Sequence, residues 1–88
     1  MRLSHLQTQA LRRFGITLGQ GDIIKIHNYI LKNKKGSYVR DTWRYGSKVH
    51  RVSWAGELMY FICDKRTLFP MTVLTCREEF GGRLSRRL

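Results

Sequence analysis

Acidic residues are scarce in this sequence. Its 88 residues contain six Asp and Glu against 17 Lys and Arg, which gives a formal net charge of +11. Such a surface attracts polyanions, because binding releases counterions from a phosphate backbone. No Asp/Glu cluster in the sequence suggests a Mg²⁺ site, so a nuclease that uses two metal ions is not expected.

Cysteine and long apolar runs are also scarce. The two cysteines, Cys63 and Cys76, are too few for a disulfide framework, and we expect both to be buried thiols. If the chain turns near Leu68, Cys63 lies opposite a residue near Met71–Val73 rather than opposite Cys76. The three histidines are scattered and match no zinc spacing. We therefore expect no metal and no cofactor.

The absence of a long apolar run also limits where the chain is expected to act. No stretch is long enough to span a bilayer, and the first residues lack the apolar run of a signal peptide. No long basic amphipathic helix is visible, so we do not expect a membrane partner. We predict a cytoplasmic protein with a single domain over 1–76 and a basic, loosely held tail over 77–88.

The first segment has the pattern of an amphipathic helix. Ser4 and Gln7 have the spacing of a capping box, and Gly15 is suited to end the helix in the left-handed conformation. Residues at four-residue spacing form its apolar stripe: Leu6, Ala10 and Phe14.

A second helix is predicted over 23–32, with Asp22 as its N-cap. Its apolar stripe consists of Ile23, Ile26 and Ile30, widened by Ile24 and Leu31.

After Gly36 the apolar pattern changes from helical spacing to alternation. Residues 37–40 are predicted to begin a short edge strand, and 41–46 a loop. Residues 48–55 alternate, with His50, Val52 and Trp54 on one face. Residues 57–64 are apolar on both faces, as in a central strand, and a turn over 65–70 leads to a last strand over 71–76. The sequence predicts an α+β fold in which two N-terminal helices pack on a three- to four-stranded antiparallel sheet.

Basic residues are concentrated within 32–51, where seven Lys and Arg accompany one acidic residue, Asp41. Aromatic residues are interleaved among them. Cations attract phosphates, and exposed rings stack on unpaired bases, a contact worth roughly 1–3 kcal/mol per base. We predict a nucleic-acid-binding surface made of Lys34, Lys35, Arg40, Trp43, Arg44, Lys48 and Arg51. For Trp43, packing into the core is an equally good interpretation.

The polar side of the first helix is a second basic feature. His5, Arg12 and Arg13 share a helical face, and this combination suits RNA cleavage without a metal. A histidine moves protons near neutral pH, and arginines stabilise the anionic transition state. The alternative for His5 is an ordinary solvated residue at a helix start.

Three segments carry a resemblance to a known group. His5 is followed by Arg-Phe-Gly-Ile at 13–16, Asp-Ile-Ile occurs at 22–24, and a hairpin is predicted from 60–64 and 71–75. In this layout the chain resembles small toxin-type ribonuclease domains of the barnase/EndoU/colicin/RelE-like group from bacteria and phages. The resemblance implies a phosphate site flanked by a basic residue of helix 1 and a hydroxyl residue of the last strand. Here those are His5, Arg12 or Arg13, and Thr72 or Thr75.

The leading functional hypothesis is a metal-independent endoribonuclease, toxin-like or phage-encoded, that acts on RNA or ribosome-bound RNA. His5 would be the acid/base, and Thr72 would position the phosphate. The residues expected to bind the scissile phosphate are Arg12, Arg13 and Arg51. The alternative is a non-enzymatic basic effector that binds RNA, the ribosome or an acidic host protein. An acidic inhibitor is a further possible partner. DNA binding is less favoured, because the second helix has few base-reading side chains.

Overall fold

The fold is seen in a computed structural model that describes residues 3–42 and 46–75. Its helices are α1 (His5–Phe14), α2 (Gln20–Lys32) and α3 (Lys34–Ser37). Its strands are β1 (Tyr38–Asp41), β2 (Lys48–Trp54), β3 (Glu57–Cys63) and β4 (Pro70–Leu74). The strands pair antiparallel in the order β1-β2-β3-β4, and α1 and α2 cover one face of the sheet. The predicted α+β fold is confirmed.

Helix α1 has the ends that the sequence predicts. The Ser4 hydroxyl accepts from the Gln7 N–H (3.2 Å), and the Gln7 side chain accepts from the Ser4 N–H (2.8 Å). Gly15 ends the helix with φ +68°, which a glycine adopts without strain. Leu6 and Ala10 are buried, and Phe14 packs against the core, so the predicted stripe is confirmed.

Helix α2 begins at Gln20, three residues before the predicted start. Gly19 is the N-cap, and Asp22 accepts the Gly19 N–H (2.9 Å) from inside the first turn, so its predicted N-cap position is wrong. The stripe of isoleucines at 23, 26 and 30 is buried as predicted, but Ile24 is 56% exposed and Leu31 39% exposed. Each follows a buried isoleucine by about 100° of helical rotation, which carries it off the face that meets the sheet.

The strands follow the predicted order, and the β3–β4 pairing contains a shift in register. Strand β4 begins at Pro70, and Cys63 pairs with Pro70, one residue before the predicted neighbourhood of 71–73. The register shifts between Ile62 and Cys63, which accounts for the difference. Cys63 is buried as predicted, and burial raises the pKa of its thiol to about 12. Cys76 and the predicted tail at 77–88 lie outside the described residues.

The two faces of the sheet have different neighbours. Val52, Phe61 and Val73 belong to the core shared with the helices. Because side chains alternate along a strand, Arg51 and Thr72 point to the opposite face. In the described part of the chain, no helix has the length and apolar character needed to cross a membrane.

Candidate nucleic-acid interface

A pocket lined by cations lies where α3, β1, β2 and the turn after β3 meet. Its volume is about 410 Å³. Its lining residues are Lys34, Lys35, Tyr38, Lys48, His50, Lys65, Arg66 and Leu68. We call it the basic pocket. Five of these eight side chains carry a positive charge and none is acidic, so the pocket suits an anionic ligand.

Helix α3 brings Lys34 and Lys35 to the pocket. Asn33 ends α2, and its carbonyl accepts the Ser37 N–H (2.8 Å), which closes the short turn that carries both lysines. Tyr38 then begins β1 beside the pocket. Lys34, Lys35 and Lys48 were predicted to bind nucleic acid, and the structure brings these three together.

The turn between β3 and β4 supplies Lys65 and Arg66. Asp64 accepts the backbone N–H groups of Arg66 (2.8 Å) and Thr67 (3.0 Å), which fixes the turn. These hydrogen bonds lower the pKa of Asp64, and the bond from the Thr67 N–H has the largest effect. On α2, His27 donates through Nε2 to the Thr67 carbonyl (2.9 Å) and so ties the turn to the helix. The sequence prediction missed Lys65 and Arg66, because they lie outside the basic segment at 32–51. The signal that could have identified them is Asp64, an aspartate at the position that commonly begins a turn.

The carboxylate of Asp41 lies beside the pocket and fixes two of its lining side chains. Asp41 accepts a hydrogen bond from the Tyr38 hydroxyl (2.9 Å) and an ion-pair contact from Lys48 Nζ (3.0 Å). Both hydrogen bonds lower the pKa of Asp41, and the bond from Lys48 has the larger effect. Among residues 3–42 and 46–75, no carboxylate lies within ion-pair distance of Lys34, Lys35 or Lys65. Within the described part of the chain, these three cations are therefore not neutralised by an ion pair.

His50 is a buried member of the pocket wall, with 1% of its surface exposed. The Ser37 hydroxyl lies 2.8 Å from the Asn33 carbonyl and 2.8 Å from His50 Nδ1. A carbonyl only accepts, so Ser37 gives its single hydrogen to Asn33 and must accept from His50 Nδ1–H. In the neutral ring, Nε2 therefore carries the lone pair. Nε2 is buried and, among the residues that the structure describes, has no hydrogen-bond partner.

The surroundings of His50 favour its neutral form. Burial lowers the pKa of the imidazole, and the positive charge of Lys48 lowers it further by a smaller amount. The Tyr38 ring lies edge-on to it, with 5.9 Å between ring centroids. The predicted position of His50 on the strand face with Val52 is confirmed, since both side chains are buried beneath the helices. Its place in a cationic pocket was not predicted.

The predicted catalytic residues lie on two sides of the sheet. His5 and Arg12 are exposed on α1, Arg13 is half-buried there, and none of the three lines the basic pocket. Thr72 is on the face away from the helices, where it lines a second pocket of about 610 Å³. The structure therefore does not bring the α1 residues together with Thr72, and their joint role in catalysis stays a prediction.

The remaining predicted RNA contacts are divided in the same way. Arg40 pairs with Val49 in the sheet, and Arg51 pairs with Tyr60. Both arginines lie on the face opposite the helices and outside the basic pocket. Trp43 and Arg44 lie outside the described residues.

No three His, Cys, Asp or Glu side chains within 3–42 and 46–75 are grouped so that they could hold a metal ion. No protein-family model, curated protein or solved structure matches the chain. The function is therefore inferred from the chemistry of the basic pocket itself.

Proposed function

We propose that the basic pocket binds the phosphate groups of single-stranded RNA. The observation that carries the proposal is the convergence of five cations from three separate segments of the chain: Lys34, Lys35, Lys48, Lys65 and Arg66. Like charges held together repel one another and oppose folding. A bound phosphate relieves that repulsion, which is the physical reason to expect an anionic ligand there.

The size and the rim of the pocket favour an unpaired nucleotide over a duplex. A volume of about 410 Å³ accommodates a small group rather than a double helix. Tyr38 is 45% exposed at the pocket, and its hydroxyl is bound to Asp41, which restrains the ring. Exposed aromatic rings of this kind stack on unpaired bases.

The test is the salt dependence of RNA binding by the full chain. The probe is a short fluorescent single-stranded RNA, followed by anisotropy over a series of salt concentrations. Lys34→Ala and Lys65→Ala should each weaken binding. Each should also reduce the slope of log K against log salt by about 0.7, the value expected for one lost contact to a single strand.

Lys25→Ala is the matched control, because Lys25 is exposed on α2 and lies outside the pocket. It removes the same charge and should leave the slope nearly unchanged. Equal effects of all three substitutions would contradict a defined site. Stronger binding of duplex DNA or of an acidic peptide at the same salt concentration would also contradict the proposal.

A further inference from the structure

We infer that His50 is the general base of a metal-independent RNA cleavage in the basic pocket. The inference rests on the proposed RNA binding and adds a reaction to it. It also moves the expected proton acceptor from His5, an exposed residue of α1, to a histidine whose ring is fixed by its neighbours.

The first support is the way His50 is held. Its Nδ1–H donates to Ser37, and Ser37 donates to the Asn33 backbone carbonyl, so one nitrogen sets both the tautomer and the orientation of the ring. The other nitrogen, Nε2, keeps a lone pair that no group in residues 3–42 or 46–75 engages. A general base needs this division, with one nitrogen oriented and the other able to take a proton.

The second support is the unsatisfied state of Nε2. A buried acceptor without a donor is unfavourable, and most buried polar atoms in proteins have a partner. A ligand that presents a hydroxyl to Nε2 satisfies it. RNA carries such a donor, the 2′-hydroxyl, next to each phosphate, whereas DNA does not. Because Nε2 is shielded in the free protein, a neighbouring group must move to admit the ligand.

The third support is the charge around the ring. The ionisable groups that line the pocket with His50 are Lys34 and Lys35 from α3, Tyr38 from β1, Lys48 from β2, and Lys65 and Arg66 from the turn after β3. Five of the six are cations. They disfavour a protonated imidazole before the reaction, and they stabilise the negative charge that develops on the phosphate during it.

The reaction balances without a metal or an oxidant. The 2′-oxygen forms a bond to the adjacent phosphorus while its proton passes to His50 Nε2. The bond between phosphorus and the 5′-oxygen breaks, and that oxygen takes a proton from water. The products are a 2′,3′-cyclic phosphate and a 5′-hydroxyl, and His50 later releases its proton to solvent.

The experiment measures cleavage and binding separately on the full chain. Single-stranded RNA is incubated in EDTA and its ends are analysed, while affinity is measured with 2′-O-methyl RNA, which cannot react. The wild type should produce 2′,3′-cyclic phosphate ends. His50→Gln should cleave about 100-fold more slowly or worse, as for loss of a general base, with its affinity for 2′-O-methyl RNA retained.

Two further variants keep the test decisive if His50→Gln does not fold. His50→Ala should regain cleavage when imidazole is added, which a purely structural residue would not show. Ser37→Ala removes the positioning residue and should slow cleavage and change its pH profile without loss of affinity. Wild-type cleavage rates in Ser37→Ala, or in an RNA with a 2′-deoxy sugar at the cleaved position, would overturn the inference.

The outcomes separate this inference from the proposed function. RNA binding without cleavage by the wild type would overturn the role of His50 and leave RNA binding intact. Failure to bind RNA would reject both. Cleavage that requires His5 and persists in the His50 variants would assign the base to His5 on α1 and overturn the inference.

Discussion

At the scale of single residues, His50 and Ser37 are the two side chains whose contacts matter most to the account. Alternation along β2 places His50 beneath the helices, and that much follows from the sequence. Its contact with Ser37 depends on the register of β1 on β2, which shifts between Tyr38 and Arg40. A bulge of this kind leaves no periodic signal, so the pair could not be predicted from the sequence.

Because His50 is buried, the free energy of unfolding should depend on pH. Its pKa is lowered in the folded protein, so the unfolded chain binds this proton more readily. The stability that neutral His50 contributes is therefore complete above the ordinary histidine range, near pH 6.5, and is lost as the pH falls. The urea midpoint of the wild type should be lower at about pH 5 than at about pH 8.

His50→Gln provides the comparison for this titration, because glutamine does not ionise. Its urea midpoint should depend less on pH over the same interval. Parallel pH dependence in the wild type and the variant would show that other groups cause the acid destabilisation.

At the scale of elements, helix ends were predicted correctly where side chains within a single turn mark them. Helix α1 was predicted with its ends, because Ser4, Gln7 and Gly15 act within a single turn. The start of α2 was missed, because its N-cap is Gly19, which has no side chain to mark it. Helix α3 was not predicted, because its four residues include two lysines and a glycine and no apolar stripe.

The α1 cap makes a quantitative prediction. Ser4→Ala removes the acceptor of the Gln7 N–H and should lower the free energy of unfolding by about 1 kcal/mol. Thr8→Ala is the control, because it removes a hydroxyl from an exposed position inside the same helix and alanine is the better helix former. Urea unfolding of both variants checks the prediction. A loss for Thr8→Ala as large as that for Ser4→Ala would contradict the capping role.

At the scale of the whole molecule, the net charge can be counted from the sequence, whereas the face of the sheet on which each basic residue lies cannot. The basic segment at 32–51 was predicted to run from the end of the second helix onto the alternating strand over 48–55, and the fold divides its described basic residues between two faces of the sheet. Lys34, Lys35 and Lys48 reach the basic pocket, whereas Arg40 and Arg51 lie on the opposite face. The pocket is completed by a turn that is distant in sequence. Such convergence depends on tertiary packing, which local patterns do not contain.

The most direct test of the central claim is an NMR titration of the isotope-labelled protein with a short single-stranded RNA. The predicted result is that the largest shift changes fall on residues of the basic pocket, including Lys34, Lys65 and the His50 ring. Shift changes centred on His5 and Arg12 of α1, or on the sheet face that carries Arg51, with the pocket unaffected, would contradict it.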